Sequence, residues 1–138
     1  LGAILAGETD FIAEAVRVRQ MFGGGWRPAG IPAAAGIVAL ESMVDRLADD
    51  HARARALADG LAELDGINVD PEAVESNILL VRPGGATPDA LIAALARHNV
   101  LVLPFGPFLR LVTHHEITDA AVAVTLAAFR TVLSEVDL

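Results

Sequence analysis

The stretch Asn77-Ile78-Leu79-Leu80-Val81-Arg82-Pro83-Gly84-Gly85-Ala86-Thr87-Pro88-Asp89-Ala90-Leu91-Ile92 decides how this chain folds. Its first residues are mostly apolar and have the length of a strand, and Pro83-Gly84-Gly85 then breaks the chain. Thr87 follows as a helix cap with Pro88 at the first helical position, where a missing N–H leaves nothing unpaired. Leu91, Ile92 and Leu95 face inward along a helix that stops near His98-Asn99. Upstream, Ile67-Asn68-Val69 and a turn at Asp70-Pro71 supply a further strand. Downstream, Val100 to Leu103 and Leu109 to Thr113 read as strands around a Pro104-Phe105-Gly106-Pro107 turn, and Thr118 caps a last helix carrying Val122, Leu126, Phe129 and Leu133. The order β, β, α, β, β, α over residues 66–138 predicts a small α+β domain, a mainly antiparallel sheet covered by helices on one face.

The preceding residues have a different texture. From Pro32 to about Leu64 alanine dominates, and Ile31, Ala35, Val38, Val44, Leu47, Ala54, Leu57, Leu61 and Leu64 recur every three or four residues. This predicts one long helix over residues 29–65, about 50 Å at ~1.5 Å per residue, which is expected to reach across two domains or a subunit boundary. The segment Ile31 to Ala39 is apolar nearly all round and predicts burial on several sides. Asp45, Arg46, Asp49, Asp50, Arg53 and Arg55 predict a solvated face for the later half. Residues 1–28 read as a short buried strand from Leu1 to Ala6, then a helix capped by Thr9 with Phe11, Ile12, Ala15 and Val16 on one side. Gly23-Gly24-Gly25 ends that helix, and before Trp26-Arg27-Pro28 the triplet is either a flexible joint or a close backbone approach to a ligand or a neighbouring chain.

Composition narrows the function classes. A chain of 138 residues with 54% apolar residues is long enough to bury a core and has single-domain size. Ten basic residues against eighteen acidic ones give a net charge of -8, which removes the electrostatic case for nucleic acid or an anionic membrane. The longest uncharged stretch, Pro28 to Leu40, is too short to cross a bilayer, and the expected location is the cytoplasm. Without cysteine there are no disulfides and no thiolate metal sites. All ten basic residues are arginines (Arg17, Arg19, Arg27, Arg46, Arg53, Arg55, Arg82, Arg97, Arg110 and Arg130), so no chemistry that needs lysine is available within this sequence. Leu1 enters directly into an apolar run, which reads as a cut from a longer protein.

Few side chains suit catalysis. His114 and His115 are adjacent and, on a strand, would point to opposite faces, which favours a structural role over a metal site. His51 and His98 read as surface residues, and Ser42, Ser76 and Ser134 lack the context of an activated nucleophile. Arg17, Arg19, Arg46, Arg53, Arg55 and Arg130 lie in helices beside acidic residues and read as solvated. Two arginines stand apart. Arg110 lies within the apolar strand Phe108-Leu109-Arg110-Leu111-Val112, where its guanidinium requires an anion or water and its fork fits a carboxylate. Arg27 follows three glycines and precedes an alanine-rich helix start, where a guanidinium and backbone donors suit a phosphate. For each, the alternative reading is an internal ion pair.

Several ordered segments resemble one family: Gly23-Gly24-Gly25-Trp26-Arg27, then Ala33 through Leu40, then Arg46-Leu47-Ala48-Asp49-Asp50-His51, and finally Leu109-Arg110-Leu111-Val112-Thr113-His114. Together they are similar to the C-terminal part of the low-specificity threonine aldolases, pyridoxal 5'-phosphate enzymes of fold type I in the β-eliminating-lyase group. The resemblance implies that the family's cofactor domain, with its Schiff-base lysine, precedes Leu1. Residues 1–28 would then be the last strand and helix of that large domain, residues 29–65 the connecting helix and residues 66–138 the small domain. It implies that Arg110 holds the carboxylate of a small amino-acid substrate and that Arg27 reaches the cofactor phosphate of a neighbouring subunit in a homodimer or homotetramer. The implied reaction cleaves L-threonine or L-allo-threonine to glycine and acetaldehyde, with no metal and no catalytic residue in this segment. Gln20, Pro28 and His115-Glu116 depart from the usual family residues. The alternatives are a free-standing, non-catalytic amino-acid-binding regulatory module and a related β-eliminating lyase.

Overall fold

The chain divides into two compact units, Leu1–Val44 and Asp45–Leu138, and the computed structural model describes residues 4–135. The first unit contains α1 (Thr9–Met21), α2 (Gly30–Val38) and a π-helical segment, Ala39–Met43. Of the strand expected from Leu1 to Ala6, residues 1–3 lie outside the described residues, and residues 4–6 are not in a strand. Strand backbone needs a ladder partner, and among the described residues this unit has no other strand to provide one. The expected cap shifts by one residue: Glu8 is the N-cap of α1 and Thr9 its first helical residue, with no side-chain capping bond.

The end of α1 explains its glycines. The Gly23 N–H donates to the Gln20 carbonyl at 3.1 Å and the Gly24 N–H to the Arg19 carbonyl at 2.8 Å. Gly23 takes φ +72, the left-handed conformation this ending demands. A Cβ on Gly24 would lie 2.8 Å from Arg19 Cγ, and one on Gly25 would collide with Gln20 Oε1. The triplet folds back on its own helix. The burial expected for Ile31 to Ala39 is not found: no residue from 4 to 44 is buried, and Ile31 is 84% exposed. Two short helices and a π turn offer too little apolar surface to enclose a helix that is apolar all round.

The single helix expected over residues 29–65 is interrupted. Hydrogen bonding widens at Ala39–Met43, residues 44–46 form a bend and turn, and Arg46, with ψ -6, becomes the N-cap of α3 (Leu47–Ala62). Val38, Ala39, Val44 and Arg46 all remain in the right-handed helical region. The three-or-four spacing of apolar residues therefore persists while the hydrogen-bond register changes beneath it.

The second unit continues from α3 through β1 (Ile67–Asn68), a 3-10 turn at Pro71–Ala73, β2 (Ile78–Pro83), α4 (Pro88–Ala96), β3 (Leu103–Phe105), β4 (Phe108–Val112) and α5 (Asp119–Glu135). The sheet has the order β1-β2-β4-β3 with every neighbouring pair antiparallel, an α+β architecture as expected. Thr87 Oγ1 accepts from the Ala90 N–H and Thr118 Oγ1 from the Ala121 N–H, so both expected caps are made. Two boundaries differ. The third strand is Leu103–Phe105 rather than Val100 to Leu103, because Asn99 turns at φ 60 and Val100 still bonds back to the Leu95 carbonyl at the end of α4. The hairpin turn is only Gly106-Pro107, since Phe105 pairs with Phe108 and Gly106 takes φ +58.

Alternation along the strands separates two faces. Leu79, Val81, Leu109 and Leu111 are buried and join Ala54, Leu57 and Leu61 of α3, Leu91 and Leu95 of α4, and Phe129 and Val132 of α5 in one core. On the opposite face Ile78, Leu80, Leu103 and Phe105 are exposed. All three helices cover one side of the sheet, and the other side is open.

Candidate functional site

Arg110 lies on the open face. Its in-register neighbours are Leu80 on β2 and Leu103 on β3, so the guanidinium emerges from a row of apolar side chains. Its alternation partners Leu109 and Leu111 point into the core, which leaves Arg110 half-buried. The outward placement follows from the sequence pattern: in a strand with a period of two, the residue between two buried leucines points to the opposite face. Among the described residues no carboxylate forms an ion pair with Arg110 and no side chain hydrogen-bonds to it. A five-donor fork is thus left available among apolar neighbours, where it can receive an anion.

The helical arginines divide differently from the solvated reading given by the sequence. Arg46 donates to both carboxylate oxygens of Asp50, at 2.9 and 2.6 Å. Asp50 is 3% exposed, and its place on the solvated face is overturned. It occupies the stripe Asp50, Ala54, Leu57, Ala58 and Leu61, the core side of α3. The hydrogen bond from Arg46 holds the Asp50 carboxyl below the usual carboxylate range, against the opposing effect of burial, and the nearby charges of Arg46, Arg53 and His114 act in the same downward direction. The signal for Asp50 was present in the sequence, as an acid spaced by four from Arg46 and by four and seven from Ala54 and Leu57. Arg53 bonds to Asp119 at 2.7 Å, and Arg55 contacts Asp59 and Glu72.

Beyond Arg110, β4 ends in a hydrogen-bonded clamp. Thr113 is buried; its hydroxyl donates to the Asp50 carbonyl at 2.7 Å and lies 3.4 Å from the Asn77 carbonyl. The Thr113 N–H donates to the Asn77 carbonyl at 2.9 Å, and Asn77 Nδ2 donates in return to the Thr113 carbonyl at 2.7 Å. Two segments singled out in the sequence, around Asp50 and around Thr113, therefore meet. His114 and His115 follow the strand rather than lying in it, and their ring centroids are 6.0 Å apart. Among the described residues no group of three or more His, Asp or Glu side chains is placed to hold a metal ion.

Arg27 belongs to the first unit and Arg110 to the second. Arg27 is exposed, joined to Pro28 by a cis peptide bond, and has no ion-pair partner among the described residues. Pro28 stands before α2, and Pro32 lies within its first turn. Among the described residues no helix is long and apolar enough to cross a membrane.

Comparison with known proteins places this sequence in a family. Residues 1–83 match the family model described as beta-eliminating lyase. The chain is 39% identical over 134 residues to a low specificity L-threonine aldolase of Escherichia coli, covering 97% of this chain and 39% of that protein. It is 38% identical over 134 residues to a probable low-specificity L-threonine aldolase of Arabidopsis thaliana, covering 94% of this chain and 38% of that protein. A probable low-specificity L-threonine aldolase of Schizosaccharomyces pombe is 32% identical over 124 residues, covering 90% of this chain and 31% of its own length. The chain thus spans between 31% and 39% of the length of these curated relatives. With more than half of its residues inside the family match, this chain belongs to the beta-eliminating lyase family.

Proposed function

We propose that this chain is the C-terminal, substrate-holding part of a pyridoxal-phosphate-dependent aldolase that cleaves L-threonine or L-allo-threonine to glycine and acetaldehyde. The observation that carries the reading is Arg110: a guanidinium set in an apolar row, with no internal counter-ion among the described residues, in a chain whose similar proteins are named threonine aldolases. Its role is to bind the substrate carboxylate through two parallel N–H···O bonds and so fix the amino acid in one orientation. Leu80 and Leu103 flank that contact as its apolar neighbours on the sheet.

Arg27 is assigned to the cofactor phosphate, reached from a neighbouring subunit. Its exposure and lack of an ion pair among the described residues leave it available to an anion such as a phosphate. The family's cofactor acts as an electron sink for carbanion chemistry when bound. This sequence contains no lysine, so the covalent anchor is assigned to residues outside it, as is the base acting on the β-hydroxyl. The chain by itself is then inert toward threonine, and a soluble, cytoplasmic homodimer or homotetramer is the expected working form.

The experiment separates the two arginines. In the longer protein, Arg27→Ala should raise the concentration of pyridoxal phosphate needed to saturate the enzyme, while the threonine KM at saturating cofactor changes little. A variant that retains cofactor as tightly as the parent removes Arg27 from the site.

A further inference from the structure

The clamp at the end of β4 has no part in binding as described so far, yet it joins the three elements that locate Arg110. The Thr113 hydroxyl reaches the Asp50 carbonyl in the first turn of α3, and the Thr113 backbone exchanges two bonds with Asn77, just before β2 begins. Leu80 and Arg110 pair a few residues farther along the same two strands. Between the Thr113 clamp and the Gly106-Pro107 turn, β4 is held at both ends. The alternation of its side chains makes that register decisive, because a slip of one residue would turn Arg110 onto the helix-covered face. Neighbouring apolar residues give little resistance to such a slip: Ile78, Leu79, Leu80 and Val81 are similar enough that hydrophobic pattern alone specifies β2 poorly.

We infer that Thr113 is a positioning residue for Arg110: its buried hydroxyl, bonded to the Asp50 carbonyl, ties β4 to α3 and sets where the guanidinium stands on the open face. Valine in its place has nearly the same shape and lacks the donor, and serine keeps the hydroxyl. Asp50 contributes through its backbone carbonyl here, and its carboxylate serves the separate pair with Arg46. The consequence for substrate binding rests on the role proposed for Arg110, whereas the consequence for where Arg110 stands does not.

The test has two arms. In this chain, labelled with nitrogen-15, the Nε–Hε signal of Arg110 should move in Thr113→Val and stay in place in Thr113→Ser. An unmoved signal in the valine variant, or equal movement in both, overturns the inference. If Thr113→Val does not fold, Thr113→Ala removes the same hydroxyl donor to the Asp50 carbonyl and carries the same expectation. In the longer protein, Thr113→Val should raise the threonine KM roughly fivefold, the worth of one neutral hydrogen bond, and should add nothing in an Arg110→Ala background. A rise that persists without Arg110 marks a general structural effect and overturns the inference. If Arg110→Ala itself leaves KM unchanged, the carboxylate-binding role falls, and the signal of Arg110 alone decides whether Thr113 places it.

Discussion

Replacing Leu80 with glutamate would supply Arg110 with the partner that it lacks inside the chain. The two residues are directly opposite on β2 and β4. Side chains in such a pair have Cβ atoms about 4.5 to 5.5 Å apart, close enough for a glutamate to reach the guanidinium. Leu80 is 39% exposed, so about three-fifths of its side-chain burial is at risk. Full burial of a leucine is worth about 1.5 to 3 kcal/mol, which puts the loss near 1 to 2 kcal/mol. An exposed cross-strand ion pair returns at most about 1 kcal/mol. The fold should therefore survive with a small loss of stability, and the effect should fall on binding. A tethered carboxylate competes at an effective concentration in the millimolar range, and threonine KM in the longer protein should rise about tenfold while kcat changes less. Leu80→Gln is the control, with the same loss of apolar surface and no charge. Added salt should narrow the gap between the two variants, because the competing pair is partly exposed. Steady-state kinetics on both variants decide the matter: equal KM values for Glu and Gln, or no change in either, would refute the reasoning.

Three further outcomes follow from the second unit. Asp50→Asn should destabilise the chain at pH 7, and the deficit should shrink as pH falls through and below about 3.9, the ordinary aspartate value. The sign follows from the lowered Asp50 pKa, whose stabilisation is present above the unfolded value and is lost as the carboxyl protonates; denaturant melts at pH 7 and pH 3 that differ equally between parent and variant would contradict it. Phe129 is fully buried between the helices and the sheet, and Phe129→Ala should cost about 3 to 5 kcal/mol, read as a lower denaturation midpoint with an unchanged slope. Arg53→Ala should cost no more than about 1 kcal/mol by the same measurement, because its partner Asp119 is largely exposed.

The parts of the fold legible in the sequence were those written in local chemistry. Thr87 before Pro88, and Thr118 before the last helix, announce their caps because the hydroxyl acceptor and the proline have few other uses there. Arg110 was conspicuous because a cation within an apolar strand has few places to go. That one face of the sheet stays uncovered followed from the element order, but which β2 residues line it was hidden: Ile78, Leu79, Leu80 and Val81 are all apolar, so the alternation that exposes Ile78 and Leu80 leaves no trace in residue type. The interruption at residues 44–46 was hidden for another reason, since apolar spacing reports backbone twist and does not report which carbonyl each N–H finds. Thr113 lay in a segment the sequence marked, but its clamp was illegible because its acceptors are main-chain carbonyls of Asp50 and Asn77, which every residue carries alike. Asp50 was misread by charge, although its spacing from Ala54 and Leu57 placed it on the core stripe.

The central claim is that Arg110 holds the substrate carboxylate, and Arg110→Lys tests it most directly. Lysine preserves the charge and loses the two-point fork. Loss of a charge-assisted hydrogen bond costs about 1.5 to 3 kcal/mol, or roughly ten- to a hundredfold in kcat/KM. The measurement is steady-state cleavage of threonine and allo-threonine by the longer protein, with pyridoxal phosphate occupancy followed spectroscopically in the same samples. The expected result is a loss of that size in kcat/KM with occupancy unchanged. Normal turnover by the lysine variant, or loss of the cofactor with an unaltered threonine KM, would contradict the account.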